Sequence, residues 1–267
     1  MYFIKRLKYY LKLLFLFARL SLQSQLEYRI NFISGMGIEL AWMTIKLTYL
    51  VVVMQTGKNI GDLTPDMVMM FIGVYIFMTG IWMFISGVNS ITGNILSGQF
   101  DMLLIKPGSP MFLQTFGSFN YGMCFVNCIA GIILICVSWV NVGIPFTFIN
   151  AAGFLFYMVL AMILTYAAAM IPALLIYWVT STGNVYSLFA SLWDFNNMPM
   201  KIYNKTVQNI GTFIIPVFML TNWSGLFVFG QLSLLEKMWG IIAPFIILAI
   251  ARIMWVRGLK KYASANG

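Results

Sequence analysis

Apolar residues form runs that are long enough to cross a lipid bilayer, and this constrains the fold more than any other feature of the sequence. An α-helix needs about 20 consecutive apolar residues to cross the hydrocarbon core. Of all residues, 61% are hydrophobic and 9% are charged, whereas about a quarter of an average soluble chain is charged. The sequence therefore predicts an all-α, polytopic integral membrane protein.

Six of these runs are predicted to be transmembrane helices of a single domain that covers residues 1–267. Glycine, proline and polar residues separate them. The predicted spans are residues 30–54, 66–88, 111–137, 149–179, 206–220 and 239–256. Residues 222–235 are apolar but too short to cross, so we expect a re-entrant hairpin that is packed against protein in the outer leaflet. Residues 181–197 either extend the fourth span or lie flat on the surface.

Residues 1–26 predict an amphipathic helix that lies in the membrane interface. In a helix of about 100° per residue, its basic residues fall within one sector of roughly 60°, opposite an apolar face. These basic residues are Lys5, Lys8, Lys12 and Arg19. Such a helix lies along the membrane with its basic side toward anionic lipid headgroups. It serves either as an anchor or as a lever that transmits motion to the first span.

Basic residues indicate which side of the membrane holds the termini. The predicted spans assign only Lys58 and Lys237 to one side of the membrane and the other basic residues outside the spans to the opposite side. The positive-inside rule makes that opposite, basic face cytoplasmic. The residues assigned to the basic face are Lys5, Arg6, Lys8, Lys12, Arg19, Arg29, Lys106, Lys201, Lys205, Arg257, Lys260 and Lys261. Six spans put both termini on this face. Because the basic residues lie at the ends of apolar runs, we expect lipids and no nucleic acid as partners.

The sequence has few groups for acid–base chemistry or metal binding. It contains 7 Asp and Glu residues and no His. Its cysteines, Cys124, Cys128 and Cys136, share one apolar run, where thiols behave as small hydrophobic groups and find no His or carboxylate with which to hold a metal. We therefore expect no catalytic residue and no metal site, which disfavours a membrane-embedded enzyme.

Two charged residues lie inside the first predicted span. Glu39 and Lys46 are seven residues apart and share one helix face, but the helical rise separates them by about 10 Å. They are interpreted either as part of a translocation path or dimer seam, or as structural hydrogen-bonding groups.

Glycines recur along one face of the second predicted span. Gly73, Gly80 and Gly87 are spaced by seven residues. Small residues at this spacing let a neighbouring helix approach closely, so the pattern predicts a packing contact.

Two polar stretches on the expected cytoplasmic side carry recognisable motifs. Residues 98–107 read Gly-Gln-Phe-Asp-x-Leu-Leu-x-Lys-Pro, and residues 198–203 read Met-Pro-x-x-Ile-Tyr before an Ile-Ile-Pro-Val-Phe segment. With the amphipathic N-terminal helix, this order resembles the type-2 ABC exporter permeases, in particular the small six-span subfamily whose ATPase is a separate chain. Asn197 and Met198 stand where that subfamily usually has an Arg-aromatic pair.

The resemblance implies a permease subunit in a bacterial plasma membrane that dimerises with a second copy or a related permease. ATPase subunits would bind ATP and Mg²⁺, because this chain has no phosphate loop and is expected to bind no cofactor itself. Residues 89–110 would hold a cytoplasmic coupling helix that docks on the ATPase, with Phe100 and Leu103 or Leu104 as apolar anchors. The residues expected at this contact are Gly98, Gln99, Phe100, Asp101, Leu103, Leu104, Lys106 and Pro107.

The expected cargo is hydrophobic or amphiphilic: a drug, an antimicrobial peptide, a lipid or a glycan precursor. A path rich in methionine and aromatic residues can repack around varied shapes, and the chain has 20 Met and 16% aromatic residues. The alternative function is an ion-coupled secondary transporter of small hydrophobic molecules. Such a transporter needs ion ligands near the membrane midplane and usually an internal repeat. The sequence shows no such repeat, and Glu39 is the one candidate ligand.

Overall fold

The computed structural model describes residues 2–117, 119–179 and 190–262, and the fold across these ranges is all-α, as predicted. Short 3₁₀ turns extend several of the helices. The α-helices are α1 (Tyr2–Glu27), α2 (Arg29–Thr56), α3 (Pro65–Phe84), α4 (Ile91–Leu96), α5 (Gln99–Leu104), α6 (Pro110–Phe116), α7 (Tyr121–Val142), α8 (Phe148–Leu174), α9 (Lys205–Asn209), α10 (Trp223–Val228) and α11 (Leu234–Lys261).

Among the described residues, 5 helices are long and apolar enough to cross a membrane. They are α2, α3, α7, α8 with its extension to Tyr177, and α11. Their apolar windows have mean hydropathies between 1.5 and 2.4. These helices correspond to the first four predicted spans and the sixth, so the chain is a multi-pass membrane protein by length and composition.

Capping residues determine where the long helices begin. The Thr64 side chain accepts a hydrogen bond from the backbone N–H of Met67, and Pro65 occupies the first helical position of α3. Ser233 and Glu236 form a reciprocal capping box at the start of α11. The last helix therefore begins at Leu234, five residues before the predicted start of the sixth span.

The third predicted span, residues 111–137, is wrong at its beginning. Residues 110–116 form the separate helix α6, and the spanning helix α7 begins at Tyr121. The Asn120 side chain accepts a hydrogen bond from the backbone N–H of Met123 and starts a new helix there. The break is only four residues long, 117–120, with apolar residues on both sides, and for this reason the sequence pattern did not separate α6 from α7.

Helix α3 packs closely along α7, and glycines permit the approach, as predicted. At Gly80, an added Cβ atom would lie 3.0 Å from the carbonyl oxygen of Cys124. At Gly131 of α7, it would lie 2.6 Å from the backbone nitrogen of Phe77. The two backbones therefore nearly touch, which is the contact that a stripe of small residues provides between membrane helices.

Helices α8 and α11 pack antiparallel, and this defines two ends of the bundle. The Tyr157 hydroxyl near the start of α8 donates to the carbonyl oxygen of Lys237 near the start of α11, at 3.2 Å. At the other end, Tyr177 packs against Gly258. We call the end with Tyr177 the α5 end, because α5 lies there, and the end with Lys237 the α10 end.

The predicted fifth span, residues 206–220, is not one helix. Helix α9 continues as a π turn to Ile214, breaks at Ile215 and Pro216, and returns through a 3₁₀ turn and α10. Pro216 has no backbone N–H to continue a helix, and the limb before it is too short to cross a bilayer. We call residues 205–229 the apolar hairpin, which contains part of the stretch expected to form a hairpin at 222–235.

The apolar hairpin enters and leaves at the α10 end. Lys201, just before it, lies 3.7 Å from Asp62 in the loop between α2 and α3. Phe227, near its end, packs against Gly153 in the second turn of α8. Pro216, at its apex, lines one cavity with Ala168 of α8 and Ile247 of α11.

The position of Lys201 corrects the assignment of basic residues. Lys201 and Lys205 were expected on the same face as the termini, but the ion pair with Asp62 puts Lys201 at the α10 end, and Lys205 begins the apolar hairpin there. The chain therefore changes ends between Tyr177 and Lys201. Residues 180–189, part of the segment 181–197 whose position the sequence left open, lie outside the described residues.

Candidate functional site

Helix α1 runs alongside the segment that connects α5 to α7. The Tyr9 hydroxyl donates to the carbonyl oxygen of Pro107 at 2.7 Å, and the Tyr10 hydroxyl accepts from the backbone N–H of Ser109 at 3.1 Å. Further along α1, the Gln25 side chain accepts from the backbone N–H of Tyr121 at 3.0 Å. The N-terminal helix is thus tied to both ends of this segment.

The basic residues of α1 point away from the bundle. Lys5, Lys8, Lys12 and Arg19 are all exposed, and large apolar side chains of the same helix are exposed as well, with Phe15 at 73%. A helix with both kinds of exposed surface suits a membrane interface. The interfacial position of α1 stays a prediction.

We expect the double substitution Tyr9→Phe and Tyr10→Phe to loosen α1 from the connecting segment. Each lost hydrogen bond costs about 0.5–1.5 kcal/mol, while the aromatic packing is kept. Limited proteolysis of the purified protein should then cleave within or just after α1 several times faster than in the wild type. The matched control is Tyr28→Phe, because Tyr28 is 65% exposed. An unchanged cleavage rate in the double variant would contradict this role of the two hydroxyls.

Phe100 is fully buried inside the chain. Its ring packs edge-on against Trp255, with ring centroids 5.9 Å apart, and against Tyr262 at 5.3 Å. Gly98, with a φ of 73°, turns the chain so that α5 begins with this ring facing α11. The prediction that Phe100 is an exposed anchor for a partner is therefore wrong, because its side chain already has partners on α11 and just beyond.

Asp101 fixes α5 to the residue that follows α11. The Tyr262 hydroxyl donates to Asp101 Oδ1 at 2.8 Å. Burial and the neighbouring Asp101 carboxylate raise the pKa of Tyr262 to about 12, so the hydroxyl keeps its proton and remains a donor at neutral pH. Asp101 is thus engaged within the chain, which the sequence motif did not reveal.

The remaining predicted contact residues divide by exposure. Gln99, Leu104, Lys106 and Pro107 are exposed, whereas Gly98 is buried and Leu103 is half-buried against the core. Met102 and Ile105, which were not predicted, are 62% and 78% exposed. We call the exposed side chains Met102, Leu104 and Ile105 the α5 ridge.

Gln114 joins the short helices at this end, a role that no sequence pattern indicated. Its side chain accepts from Asn94 Nδ2 at 3.0 Å and donates to the carbonyl oxygen of Gly87 at 2.8 Å. It also donates to Ser90 Oγ at 2.9 Å. A buried amide with all these partners holds α4, α6 and the turn after α3 in one unit.

A cavity of about 310 Å³ opens between α2, α3 and residues 190–197, part-way along the spanning helices. We call it the central cavity. Charged and aromatic side chains form most of its wall. The lining residues are Glu39, Trp42, Lys46, Tyr75, Thr79, Trp82, Met83, Ala190, Trp193, Asp194 and Asn197.

Both charges of the first span lie at this cavity. Glu39 is only 5% exposed and accepts a hydrogen bond from Asn127 Nδ2 of α7 at 2.6 Å. The Lys46 ammonium lies 4.3 Å from the centroid of the Tyr75 ring, a cation–π contact. Glu39 therefore has a structural hydrogen bond and also contributes to the cavity wall.

Asp194 is a third charged residue at this cavity. It lines the central cavity with Lys46 and Tyr75. The adjacent Trp193 ring lies 5.8 Å from Trp82 and 6.3 Å from Tyr75, measured between ring centroids. The polar residues around Asp194 are typical of a loop, so the sequence pattern did not predict its position beside Glu39 and Lys46.

The other carboxylates within the described residues lie near helix ends. Asp62 pairs with Lys201, Asp66 accepts from Asn141, and Glu236 caps α11. Asp101 accepts from Tyr262, and Glu27 ends α1. Glu39, inside α2, and Asp194, just before the 3₁₀ turn Phe195–Asn197, line one cavity.

Comparison with known proteins gives one family. A family model described as "ABC-2 family transporter protein" matches residues 40–266. Comparison with curated proteins and comparison with solved structures each gave no match. The matched range begins within α2 and includes the α5 ridge, the apolar hairpin and nearly all of the central cavity.

Proposed function

This chain belongs to the ABC-2 family of transporter proteins, and on that premise we propose that it is the permease subunit of an ATP-driven exporter. Two copies, or one copy and a related permease, pair in the membrane. Separate ATPase subunits bind ATP and Mg²⁺ on the cytoplasmic side. The permease itself binds no cofactor and moves a hydrophobic or amphiphilic cargo.

The α5 ridge is the observation that carries this proposal. Met102 and Ile105 are more than half exposed at an end of the bundle that is rich in basic residues. Apolar side chains that are exposed together outside the membrane are typical of a protein-binding surface. Lys106, exposed next to the ridge, adds a charged contact at its rim.

The same end is proposed to face the cytoplasm. Basic residues of α1 and of the last turns of α11, including Arg257, Lys260 and Lys261, lie there. The α10 end holds fewer, with Lys58, Lys201, Lys205 and Lys237, and Lys201 is paired with Asp62. The positive-inside rule therefore still favours cytoplasmic termini after the correction at Lys201.

Force from the ATPase would reach the spanning helices through two contacts of α5 and its neighbours. Phe100 packs on Trp255 of α11, and Gln114 ties α4 and α6 to the turn after α3. A movement of the α5 ridge would therefore displace α3 and α11 together. These helices flank the central cavity and the apolar hairpin, respectively, so both regions would respond to ATP binding.

We expect the double substitution Leu104→Glu and Ile105→Glu to separate the permease from its ATPase. Two buried carboxylates cannot be accommodated in an apolar contact without a large desolvation cost. The co-purified, vanadate-sensitive ATP hydrolysis per permease should fall at least about tenfold, which corresponds to roughly 1.4 kcal/mol of lost binding.

The matched control is Phe146→Glu. Phe146 is 86% exposed in the loop at the α10 end, so its replacement should leave the co-purified ATP hydrolysis unchanged. A wild-type protein that carries no ATPase when purified from its native membrane would contradict the proposed function. Full ATP hydrolysis in the double variant would contradict the docking role of the ridge.

One observation favours the alternative function, an ion-coupled secondary transporter. Glu39 and Asp194 are two carboxylates that line one cavity between the spanning helices, and carboxylates in such a place could bind a coupling ion. Proteoliposomes that contain the chain without any ATPase distinguish the two functions. Cargo movement driven by a proton or sodium gradient alone would establish the alternative, and no movement without ATP would support the exporter.

A further inference from the structure

We propose that the central cavity binds the cationic head of an amphiphilic molecule. The carboxylates of Glu39 and Asp194 would balance its charge, and the rings of Tyr75, Trp82 and Trp193 would pack around it. That this molecule is exported cargo rests on the proposed function. The binding itself does not, because it needs only this chain.

The charge of the cavity favours a cation. Its wall carries two carboxylates and one ammonium group, and no carboxylate of the described residues lies within ion-pair distance of Lys46. The carboxylate of Glu39 is almost fully removed from solvent. Charged groups at membrane depth are costly unless they face an opposite charge or water, so an added positive charge would be stabilised here.

The aromatic residues support the same conclusion. The Lys46 ammonium lies over the Tyr75 ring at 4.3 Å from its centroid, so this ring already faces one cation. Trp82 and Trp193 lie beside it, with ring centroids 5.8 Å apart. Clustered aromatic faces bind quaternary and primary ammonium groups by cation–π attraction, most strongly when desolvated.

An anionic head fits the cavity less well. Among the described residues, Lys46 is the only basic one in its wall, and its ammonium is already directed at Tyr75. An anion would also meet the negative faces of the aromatic rings and the two carboxylates. Electrostatic complementarity therefore selects against negatively charged ligands at this site.

The cavity is also open to a ligand. Trp42, at its edge, is 58% exposed, and Asp194 is exposed. The outer face of α2 beside Trp42 is apolar, with Ile38 and Ile45 at 55% and 61% exposure. An amphiphile can therefore insert its charged head between α2 and α3 while its apolar part remains on the surface of α2.

Two probes of nearly equal shape and opposite charge test the proposal: tetraphenylphosphonium and tetraphenylborate. Binding to the purified full chain in neutral-lipid nanodiscs is measured by equilibrium dialysis, with binding to empty nanodiscs subtracted. We expect saturable binding of the cation. Both Glu39→Gln and Asp194→Asn should weaken it at least about tenfold, because each removes one charge from a low-dielectric site. Trp193→Leu should weaken it as well.

The matched control is Asp62→Asn, which removes a carboxylate of 80% side-chain exposure at the α10 end. It should leave cation binding unchanged. Glu39→Gln keeps an oxygen that can accept from Asn127, and Asp194 is exposed, so both variants should retain the wild-type melting temperature. Saturable binding of tetraphenylborate that equals or exceeds that of the cation, or cation binding that both variants retain, would overturn the proposal. No ATPase takes part in this experiment. If the cation does not bind, the proposed exporter function is unaffected, and if the exporter function is wrong, the proposed cation binding is unaffected.

Discussion

Replacing Phe100 with alanine is expected to destabilise the α5 end by about 3–5 kcal/mol, the range typical of a buried phenylalanine. The ring is completely buried, and it fills the space between α5, Trp255 and Tyr262. Removing it leaves a cavity that short helices tied at several points cannot easily close. The melting temperature of the purified chain without any ATPase should therefore fall by several degrees.

This experiment distinguishes the buried position of Phe100 from a role as an exposed anchor. An anchor for the ATPase would leave the melting temperature of the isolated permease unchanged and would only lower the affinity for the partner. Phe15→Ala is the matched control, because Phe15 is 73% exposed on α1 and its loss should leave the melting temperature of the isolated chain unchanged. An unaltered melting temperature in Phe100→Ala would contradict the packing described here.

The positions of the long helices could be predicted from the sequence because their signal is local. An apolar run of sufficient length must be helical in a bilayer, where backbone polar groups find no water. Capping residues such as Thr64 and Ser233 then set where these helices begin. The glycines of α3 indicated a close contact for the same reason, since the need for small residues is visible in their spacing.

The apolar hairpin could not be distinguished from a span by composition. Residues 206–220 are as apolar as a membrane helix. Pro216 does not distinguish them from a span, because prolines also occur inside spanning helices, as Pro172 of α8 and Pro244 of α11 illustrate. Tertiary contacts distinguish the hairpin from a span. Asn222 accepts from the backbone N–H of Met200 and binds the return limb to the preceding segment.

The central cavity was missed for a related reason. The sequence separates Glu39 from Asp194 by about half the chain, and the polar residues around Asp194 are typical of a loop. The fold brings them together because Trp193 packs against Tyr75 and Trp82 of α3, which is adjacent to α2. Contacts between aromatic rings on distant segments leave no periodic pattern in the sequence.

The α5 ridge also could not be predicted from the sequence. In a helix of six residues, the motif alone does not say which face turns inward. The left-handed conformation of Gly98 orients Phe100 toward α11 and leaves Met102 and Ile105 outside. Internal packing therefore explains the aromatic residue of this motif, and the side chains of the motif that remain exposed are mainly aliphatic and polar.

Replacing Gly131 with alanine is expected to separate α3 from α7, whose backbones nearly touch at this residue. The new Cβ atom would lie 2.6 Å from the backbone nitrogen of Phe77 and 2.8 Å from the carbonyl oxygen of Gly73. Both are backbone atoms, so the clash cannot be relieved by a side-chain rotation and the helices must move apart. Overpacking of this kind costs about 1–3 kcal/mol or more, and the melting temperature and the yield of folded protein should both fall.

Gly37→Ala is the matched control, since it makes the same change in another spanning helix. An added Cβ atom at Gly37 meets nothing within 4 Å, and alanine is favoured over glycine inside a helix by up to about 1 kcal/mol. Its melting temperature should equal or exceed that of the wild type. Equal behaviour of the two variants would mean that α3 and α7 are not in backbone contact. Changes in melting temperature of opposite sign would establish that contact. The wall of the central cavity depends on the position of α7, because Asn127 of α7 holds Glu39 in place.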